Sequence, residues 1–249
     1  MSELAVTAAV LVIGDEVLSG RTQDANTHYI ANYLSQIGVD LCEARVVPDL
    51  ETEIVAAVNA LRARYTYVFT TGGIGPTHDD ITADAIARAF GVGIDEDPRA
   101  LAMLRERFSE ADLNPARRRM ARIPAGAALV PNAISKAPGF WIGNVIVMAG
   151  VPSVMHAMLD TVGPQLKAGS RVLVESVAAG PIPEGAYAAG LEEIVRACAG
   201  VSIGSYPSFT SDGVRNQIVL RSRDAMALSG AAARVRALID ELASHAGRR

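Results

Sequence analysis

Short apolar runs rich in β-branched residues alternate with helical patterns along the first two thirds of the chain, and this alternation limits the fold more than any other feature. The runs at 6–13, 41–47 and 65–70 predict strands, and the segments between them repeat apolar residues at helical spacing. Alternation of this kind is typical of a mostly parallel sheet with helices on both faces. We therefore predict an α/β fold with three layers, α/β/α.

The remaining elements follow from capping and turn signals. Asp24 or Asn26 is expected to cap the first helix, which Gly38 ends, and Thr82 is expected to cap the helix that precedes Gly91. Helices are predicted at 51–64, 83–90, 98–111, 115–122 and 152–166, and further strands at 128–130, 139–142 and 145–148.

Residues 167–170 are small or polar and predict a boundary between two domains. We expect an α/β domain over residues 1–168 and a small α+β appendage over residues 169–249. In the appendage, strands are predicted at 171–177, 201–206 and 217–222, and helices at 185–197 and 225–243.

Composition and charge exclude several classes of protein. Half of the 249 residues are hydrophobic, which is ample for a core, and the net charge of −4 argues against nucleic acid as a partner. The sequence contains no apolar run of about 20 residues and no basic start typical of a signal peptide, so we predict a cytoplasmic protein without a membrane partner. Cys42 and Cys198 lack metal-ligand spacing and are expected to be buried thiols.

The segment TTGGIGPTHDDIT, residues 70–82, combines a flexible backbone with two carboxylates. Gly72, Gly73 and Gly75 let a ligand approach the main chain, and the helix that follows favours phosphate at its N-terminus. Asp79 and Asp80 would repel a phosphate unless a hard cation lies between them or one of them acts as a base. The alternative is that the two carboxylates only cap the helix. The spacing matches neither a Walker loop nor a dinucleotide fingerprint.

Two other predicted strands end in acidic loops. Glu16 follows the first strand near Gly14, and Asp49 follows the second strand, where it is either a turn residue or part of the same rim. In an open α/β sheet these ends lie together, where ligands bind. The one basic cluster, Arg117–Arg118–Arg119 with Arg122, is either a solvated helix face or an anion site.

Four segments resemble a known superfamily in its order: IGDEVLSGRTQDAN, TTGGIGPTHDDIT, PNAISKAPGF and MAGVPSVMHAML. They are similar to the molybdopterin-binding (MoaB/Mog-like) superfamily, most closely the N-terminal domain of the competence/damage-inducible protein A (CinA) family, over residues 11–166. The appendage, with GSYP at residues 204–207, resembles the small domain that follows in that family and in eukaryotic FAD synthases.

The resemblance assigns roles to residues. It implies that Asp80 and Asp49 are catalytic, and that a divalent metal (Mg, Mn or Co) is bound by Glu16, Asp49, Asp79 and Asp80. It also implies a nucleotide or pterin ligand, molybdopterin included. The residues implied to bind the ligand or its phosphate are Gly14, Thr71, Gly72, Gly73, Gly75, Pro76, Thr77, Thr82, Arg118, Arg119, Pro138, Gly139, Gly150, Pro152 and Ser153.

The activity that the resemblance implies is metal-dependent hydrolysis of a nucleotide pyrophosphate such as ADP-ribose or FAD. Adenylyl transfer to molybdopterin and binding without turnover are the alternatives. Relatives assemble as dimers or trimers, so a homo-oligomer is expected. The chain ends before the amidohydrolase domain of full-length relatives, and that activity is expected to be absent. Ile74 and Val154 depart from the family pattern, which predicts an altered ligand-facing surface.

Overall fold

The computed structural model describes residues 5–210 and 213–246, and its chain divides into two compact units, residues 1–169 and 170–249. In the first unit the strands are β1 (Thr7–Ile13), β2 (Asp40–Val47), β3 (Tyr67–Thr71), β4 (Ile94–Glu96), β5 (Arg122–Pro124), β6 (Ala128–Val130), β7 (Gly139–Ile142) and β8 (Val145–Met148). The helices are α1 (Asp15–Leu18), α2 (Asn26–Gln36), α3 (Glu51–Arg64), α4 (Thr82–Phe90), α5 (Pro98–Arg105), α6 (Pro115–Arg118) and α7 (Pro152–Val162), with 3₁₀ turns at Arg119–Ala121 and Gly163–Gln165.

A six-stranded sheet in the order β2-β1-β3-β8-β7-β6 forms the middle of this unit. The first four strands of that order run parallel, whereas β7 and β6 add an antiparallel extension beside β8. Strands β4 and β5 pair separately as a short antiparallel ribbon. The predicted mostly parallel α/β fold is confirmed.

Two separate cores lie on opposite faces of the sheet, and β1 shows why. Leu11 and Ile13 belong to the core beneath α3, α4 and α5, while Val10 and Val12 belong to the core beneath α2 and α7. Because successive side chains of a strand point to opposite faces, a strand buried on both faces is apolar at every position. This arrangement gives the three layers that the alternation of elements predicts.

Some predicted boundaries are wrong for local reasons. The helix predicted over 98–111 ends at Arg105, and Ser109 then donates to the Asp112 carboxylate in a turn. The helix predicted over 115–122 is a single turn, because residues 122–124 extend into β5, which the sequence did not predict, and pair with β4. The helix predicted to Leu166 becomes a 3₁₀ turn after Val162.

Two capping predictions have different outcomes. The Asp24 carboxylate accepts the amides of Asn26 and Thr27, at 2.9 and 3.2 Å, and so caps α2 as predicted. Thr82 does not cap α4: it is the first residue of that helix, fully buried, and its hydroxyl donates to the carbonyl of Gly72 at 3.0 Å. Thr82 therefore fixes the glycine-rich loop instead of the helix end.

The predicted burial of the two cysteines is also wrong, although both are free thiols. Cys42 is exposed on the edge strand β2, and Cys198 is only half-buried at the end of its helix. Burial raises the pKa of the Cys42 thiol, and the Asp40 carboxylate raises it further. Both effects favour the protonated, less reactive thiol.

The second unit is a three-stranded antiparallel sheet with two helices. Its elements are β9 (Leu173–Gly180), α8 (Glu184–Ala197), β10 (Ser202–Thr210), β11 (Gly213–Ser222) and α9 (Ala225–Ala246), and the strand order is β10-β11-β9. Its core joins Val177, Ile218 and Leu220 of the sheet to Tyr187 of α8 and Val235 of α9. The predicted α+β character of this segment is confirmed.

None of the helices in the described part of the chain is long and apolar enough to cross a bilayer. Residues 1–4, the beginning of the segment in which the sequence predicts no signal peptide, lie outside the described residues.

The backbone at Gly72 gives a prediction about folding stability. Gly72 has φ +103°, and a Cβ at this position would lie 2.1 Å from the carbonyl oxygen of Ile13. We expect Gly72→Ala to lower the free energy of unfolding by about 3 kcal/mol, since backbone strain and overlap act together. Urea denaturation followed by circular dichroism measures the change.

Gly93→Ala is the matched control. A Cβ at Gly93 meets no atom within 4 Å, and this glycine does not have a left-handed φ. The control should leave stability unchanged or raise it by about 0.5 kcal/mol. Equal stability of the two variants would contradict the tight approach at Gly72.

Candidate functional site

The carboxyl ends of the four parallel strands lie at one edge of the sheet, and their loops are hydrogen-bonded to one another there. The amide of Gly14, after β1, donates to the carbonyl of Val47 in β2, and the amide of Gly72, after β3, donates to that of Met148 in β8. The chain passes from β1 to β2 on one side and then to β3 on the other. The sheet therefore reverses its strand order between β1 and β3, which is where open α/β sheets bind ligands.

Three glycines let the loops meet without side chains between them. Gly73 has φ +66°, and a Cβ there would lie 2.2 Å from the Thr82 hydroxyl. A Cβ on Gly150, after β8, would lie 3.2 Å from the Cα of Gly72. The side-chain amide of buried Asn26 donates to the Gly150 carbonyl at 2.7 Å and holds this contact. The floor of the edge is consequently bare backbone.

That backbone presents hydrogen-bond donors. Within the described residues, the amides of Gly73, Ile74 and Gly75 donate to no protein acceptor. The 11-residue helix α7 begins beside them at Pro152, with its positive end at the same edge. Successive free amides and a helix N-terminus form a surface that suits an anion.

An open cleft of about 330 Å³ lies over this backbone. Its volume is in the usual range for a small-molecule site. Its lining is mostly backbone and apolar side chains, with carboxylates at the rim: Glu16, Gly72, Gly73, Ile74, Gly75, Asp80, Met120, Ser135, Ala137, Ala149, Gly150, Val151 and Val154. A smaller cavity of about 20 Å³ beneath the loop shares Gly73, Gly75 and Asp80 and adds Arg119 and Pro138.

Two carboxylates, Glu16 and Asp80, line the cleft itself. One oxygen of Asp80 accepts the amide of Thr77 at 2.8 Å and the Thr77 hydroxyl, which fixes the turn between the glycines and α4. A side chain on Gly75 would meet this carboxylate at 2.7 Å. Asp80 is therefore held against the loop by short-range contacts, as a side chain that acts at a fixed point must be.

Asp49 and Asp79 lie in the surroundings of the cleft, in different environments. Partial burial raises the pKa of the Asp49 carboxyl, and the charges of Asp15, Glu16 and Asp79 raise it further, although the Asp15 amide donates to it at 3.0 Å. Asp79 is exposed, and the nearby Thr77 side chain, whose hydroxyl donates to Asp80, lowers the pKa of the Asp79 carboxyl. Asp49 thus binds a proton more readily than an ordinary aspartate does.

Three arginines of the basic cluster, Arg118, Arg119 and Arg122, have different surroundings. Arg118 donates twice to the Glu96 carboxylate, which lowers the pKa of Glu96, and Arg122 pairs with Asp84 at 2.7 Å. Arg119 forms no ion pair within the described residues; one of its terminal nitrogens donates to the Asp80 carbonyl at 3.3 Å, and its buried Nε has no partner. Of these arginines, Arg119 is the one available to an anion at the cavity.

The sequence-predicted site residues fall into two groups. On the walls of the cleft or the smaller cavity lie Glu16, Gly72, Gly73, Gly75, Asp80, Arg119, Pro138 and Gly150. Outside these walls lie residues of the rim and supporting structure: Gly14, Asp49, Thr71, Pro76, Thr77, Asp79, Thr82, Arg118, Gly139, Pro152 and Ser153.

Buried members of the second group support the sheet. Thr71 is the last residue of β3, and a Cβ on Gly139 would lie 2.1 Å from the Val147 carbonyl of the neighbouring strand. Sequence reasoning missed Ser135 and Ala149 in the cleft wall. Ala149 directly follows a parallel strand, and that position could have been read from the pattern. Ser135 lies in the loop between the antiparallel strands β6 and β7, and its place in the cleft wall could not have been predicted from that pattern.

No group of three or more His, Cys, Asp or Glu side chains in the described part of the chain is arranged to hold a metal ion. The four carboxylates that the resemblance assigned to a metal therefore do not form a closed centre by themselves.

Comparisons with known proteins agree with this fold. A family described as "Probable molybdopterin binding domain" matches residues 9–168, and "FAD synthase, middle domain" matches residues 179–245. A protein from Caldivirga maquilingensis is 36% identical over 208 residues, covering 80% of this chain and 81% of its own length. The CinA-like protein of Citrifermentans bemidjiense is 43% identical over 166 residues. These residues cover 64% of this chain and 40% of that relative's length.

A solved structure is similar as well. The protein CinA from Thermoplasma acidophilum, whose description states that its function is unknown, superposes with a TM-score of 0.62 at 35% identity, over 65% of this chain and 98% of its own. The resemblance drawn from the four sequence segments is confirmed. The chain belongs to the family of the probable molybdopterin-binding domain and is related to CinA-like proteins.

Proposed function

We propose that this chain hydrolyses the diphosphate linkage of a nucleotide such as ADP-ribose or FAD in the cleft at the carboxyl edge of the sheet. One observation carries the proposal: free amides at 73–75 and the carboxylates of Glu16 and Asp80 line the same cleft of about 330 Å³. An anion cradle beside carboxylates suits a phosphate whose charge a cation neutralises. The match of residues 179–245 to a FAD synthase domain supports a nucleotide substrate.

Residues of the cleft and of its rim, to which Asp49 belongs, can each contribute to one step of hydrolysis. The amides at 73–75 bind one phosphate and stabilise charge that develops on its oxygens. Asp49, whose pKa is raised, takes a proton from a water molecule as the water oxygen attacks phosphorus. The bridging P–O bond breaks, and ADP-ribose yields AMP and ribose 5-phosphate. Asp80 is held against the glycine loop by its hydrogen bonds from Thr77.

The donor set fits a cation that is bound together with the substrate. Mg²⁺ is usually held by one or two carboxylates plus phosphate oxygens and water, whereas a closed protein centre needs more ligands than the described residues bring together. Glu16 and Asp80 would hold such an ion, Mg²⁺, Mn²⁺ or Co²⁺, with Asp79 near the rim. The ion would supply charge neutralisation to the diphosphate.

A second candidate function is binding of molybdopterin or a nucleotide without turnover. The lack of a three-carboxylate group among the described residues favours it, as does the apolar wall formed by Met120, Val151 and Val154, which suits a flat ring. Adenylyl transfer to molybdopterin would use the same cradle with a pterin on that wall.

One prediction of this proposal concerns catalytic turnover. The purified chain is expected to release AMP from ADP-ribose or FAD in the presence of Mg²⁺, Mn²⁺ or Co²⁺, and to release none with chelator. Asp80→Asn should lower kcat at least about 100-fold, since it removes a charged group from the reaction centre. Chromatographic quantification of AMP measures both.

Asp95→Asn is the matched control, because Asp95 lies on the β4 ribbon and lines neither the cleft nor the smaller cavity. It should retain full activity. Metal-independent turnover, or full turnover by Asp80→Asn, would contradict the proposed mechanism. Saturable pterin binding without AMP release would favour the second function.

Another prediction concerns the pH dependence of folding stability. The raised pKa of Asp49 means that the folded state binds this proton more tightly than the unfolded state, so the charge of Asp49 lowers stability as pH rises through the raised pKa. Asp49→Asn should therefore have a higher Tm than the parent protein at pH 7. The difference should shrink as pH falls toward the ordinary carboxyl value of about 3.9. Thermal unfolding between about pH 3.5 and 7 measures the trend.

Asp79→Asn provides a control of opposite sign. Because the pKa of Asp79 is lowered in the folded state, its charged form stabilises the fold above the ordinary carboxyl pKa. This variant should lose stability at pH 7. A stability change of the same sign in both variants would show that the environments of the two carboxylates have been assigned wrongly.

A further inference from the structure

The three-stranded sheet of the second unit has one open face. Residues such as Val177, Ile218 and Leu220 point toward α8 and α9 and are buried there. Their neighbours along each strand point the other way, and many of these are exposed, among them Val174 and Arg221. An open sheet face that carries an aromatic side chain is a surface on which planar rings can stack.

Tyr206 lies on this face, within the GSYP segment at residues 204–207, and has a fixed orientation. A Cβ on Gly204 would lie 3.0 Å from its ring, so the ring packs closely over this glycine. Arg221 donates to the Tyr206 hydroxyl at 3.1 Å, and its guanidinium carbon lies 5.8 Å from the ring centre. The ring nevertheless remains 46% exposed. Tyr206 is thus held in place with a free surface.

A groove of about 550 Å³ begins beside this pair. Its lining residues are Val172, Gly200, Val201, Ser202, Arg221, Ser222 and Arg223. The Ser222 hydroxyl donates to the Gly200 carbonyl and the Arg223 Nε to the Ser170 carbonyl, which fixes the groove wall. Arg221 forms no ion pair within the described residues.

The charge of the open face has one sign. Its positions that the structure describes carry no aspartate or glutamate; the acidic residue of β9, Glu175, lies on the helix side and pairs with Arg236. In a chain with a net charge of −4, an acid-free face with a guanidinium and a flat exposed ring suits an anion that carries a ring.

We propose that this face is a second ligand site that binds a mononucleotide. The base stacks on Tyr206, and the phosphate is held by Arg221 at the entrance of the groove. The site is separate from the cleft of the first unit and does not depend on the function proposed there.

NMR titration of the full chain with AMP tests the proposal. The backbone amide signals of Gly204, Tyr206 and Arg221 should shift and saturate. This result is expected whether or not AMP also shifts the amide signals of residues 72–75 in the first unit. Adenosine lacks the phosphate and ribose 5-phosphate lacks the base. The Kd of each compound, measured from the same amide signals, should be at least about fivefold higher than that of AMP. Tyr206→Ala and Arg221→Gln should each weaken AMP about tenfold or more, whereas Tyr206→Phe should bind within a few fold of the parent.

Arg196→Gln is the control: Arg196 lies on α8 of the same unit and pairs with Glu192 four residues earlier. It should leave AMP binding unchanged. Three results would overturn the proposal: no saturable shift at the three amides up to about 10 mM AMP, equal binding of adenosine and AMP, or unaltered binding by Tyr206→Ala. Much tighter binding of a single-stranded oligonucleotide than of AMP would also overturn it and identify a nucleic-acid surface instead.

Discussion

The approach of the Gly72 backbone to the carbonyl of Ile13 controls the geometry of the first unit. The strands end level, because β1 pairs Val12 with Thr71 of β3, and β3 pairs Thr71 with Met148 of β8. Loops that leave level strand ends must cross within van der Waals distance, and only residues without Cβ fit there. The floor of the cleft is therefore main chain.

This constraint also explains how much of the site the sequence could predict. Loops after parallel strands must share an edge, so Glu16, Gly72 and Asp80 could be brought together from strand order alone. Apolar residues at every position of β1 from Ala8 to Ile13 likewise required two covered faces. Partners distant in sequence could not be found in this way: Arg118 meets Glu96 only through the β4–β5 ribbon, whose three-residue strands have no detectable period.

The failed capping prediction at Thr82 has the same origin. A threonine before an apolar helical run is an ordinary capping signal, but its hydroxyl can satisfy only the nearest acceptor. The glycine turn folds back over α4 and places the Gly72 carbonyl within 3.0 Å of that hydroxyl. The sequence predicted that the Thr82 hydroxyl would accept a hydrogen bond from a helix amide, whereas in the fold it donates to the Gly72 carbonyl.

The edge of the sheet also concentrates features that cost folding free energy. Gly72 and Gly73 have left-handed backbones, the amides at 73–75 have no acceptor among the described residues, and the Asp49 carboxyl loses hydration through burial. Each feature is unfavourable for the isolated chain, yet all lie at one edge, between two well-packed cores that can stabilise them. Unfavourable groups gathered at one edge are typical of a binding or catalytic site, and folding alone does not explain them.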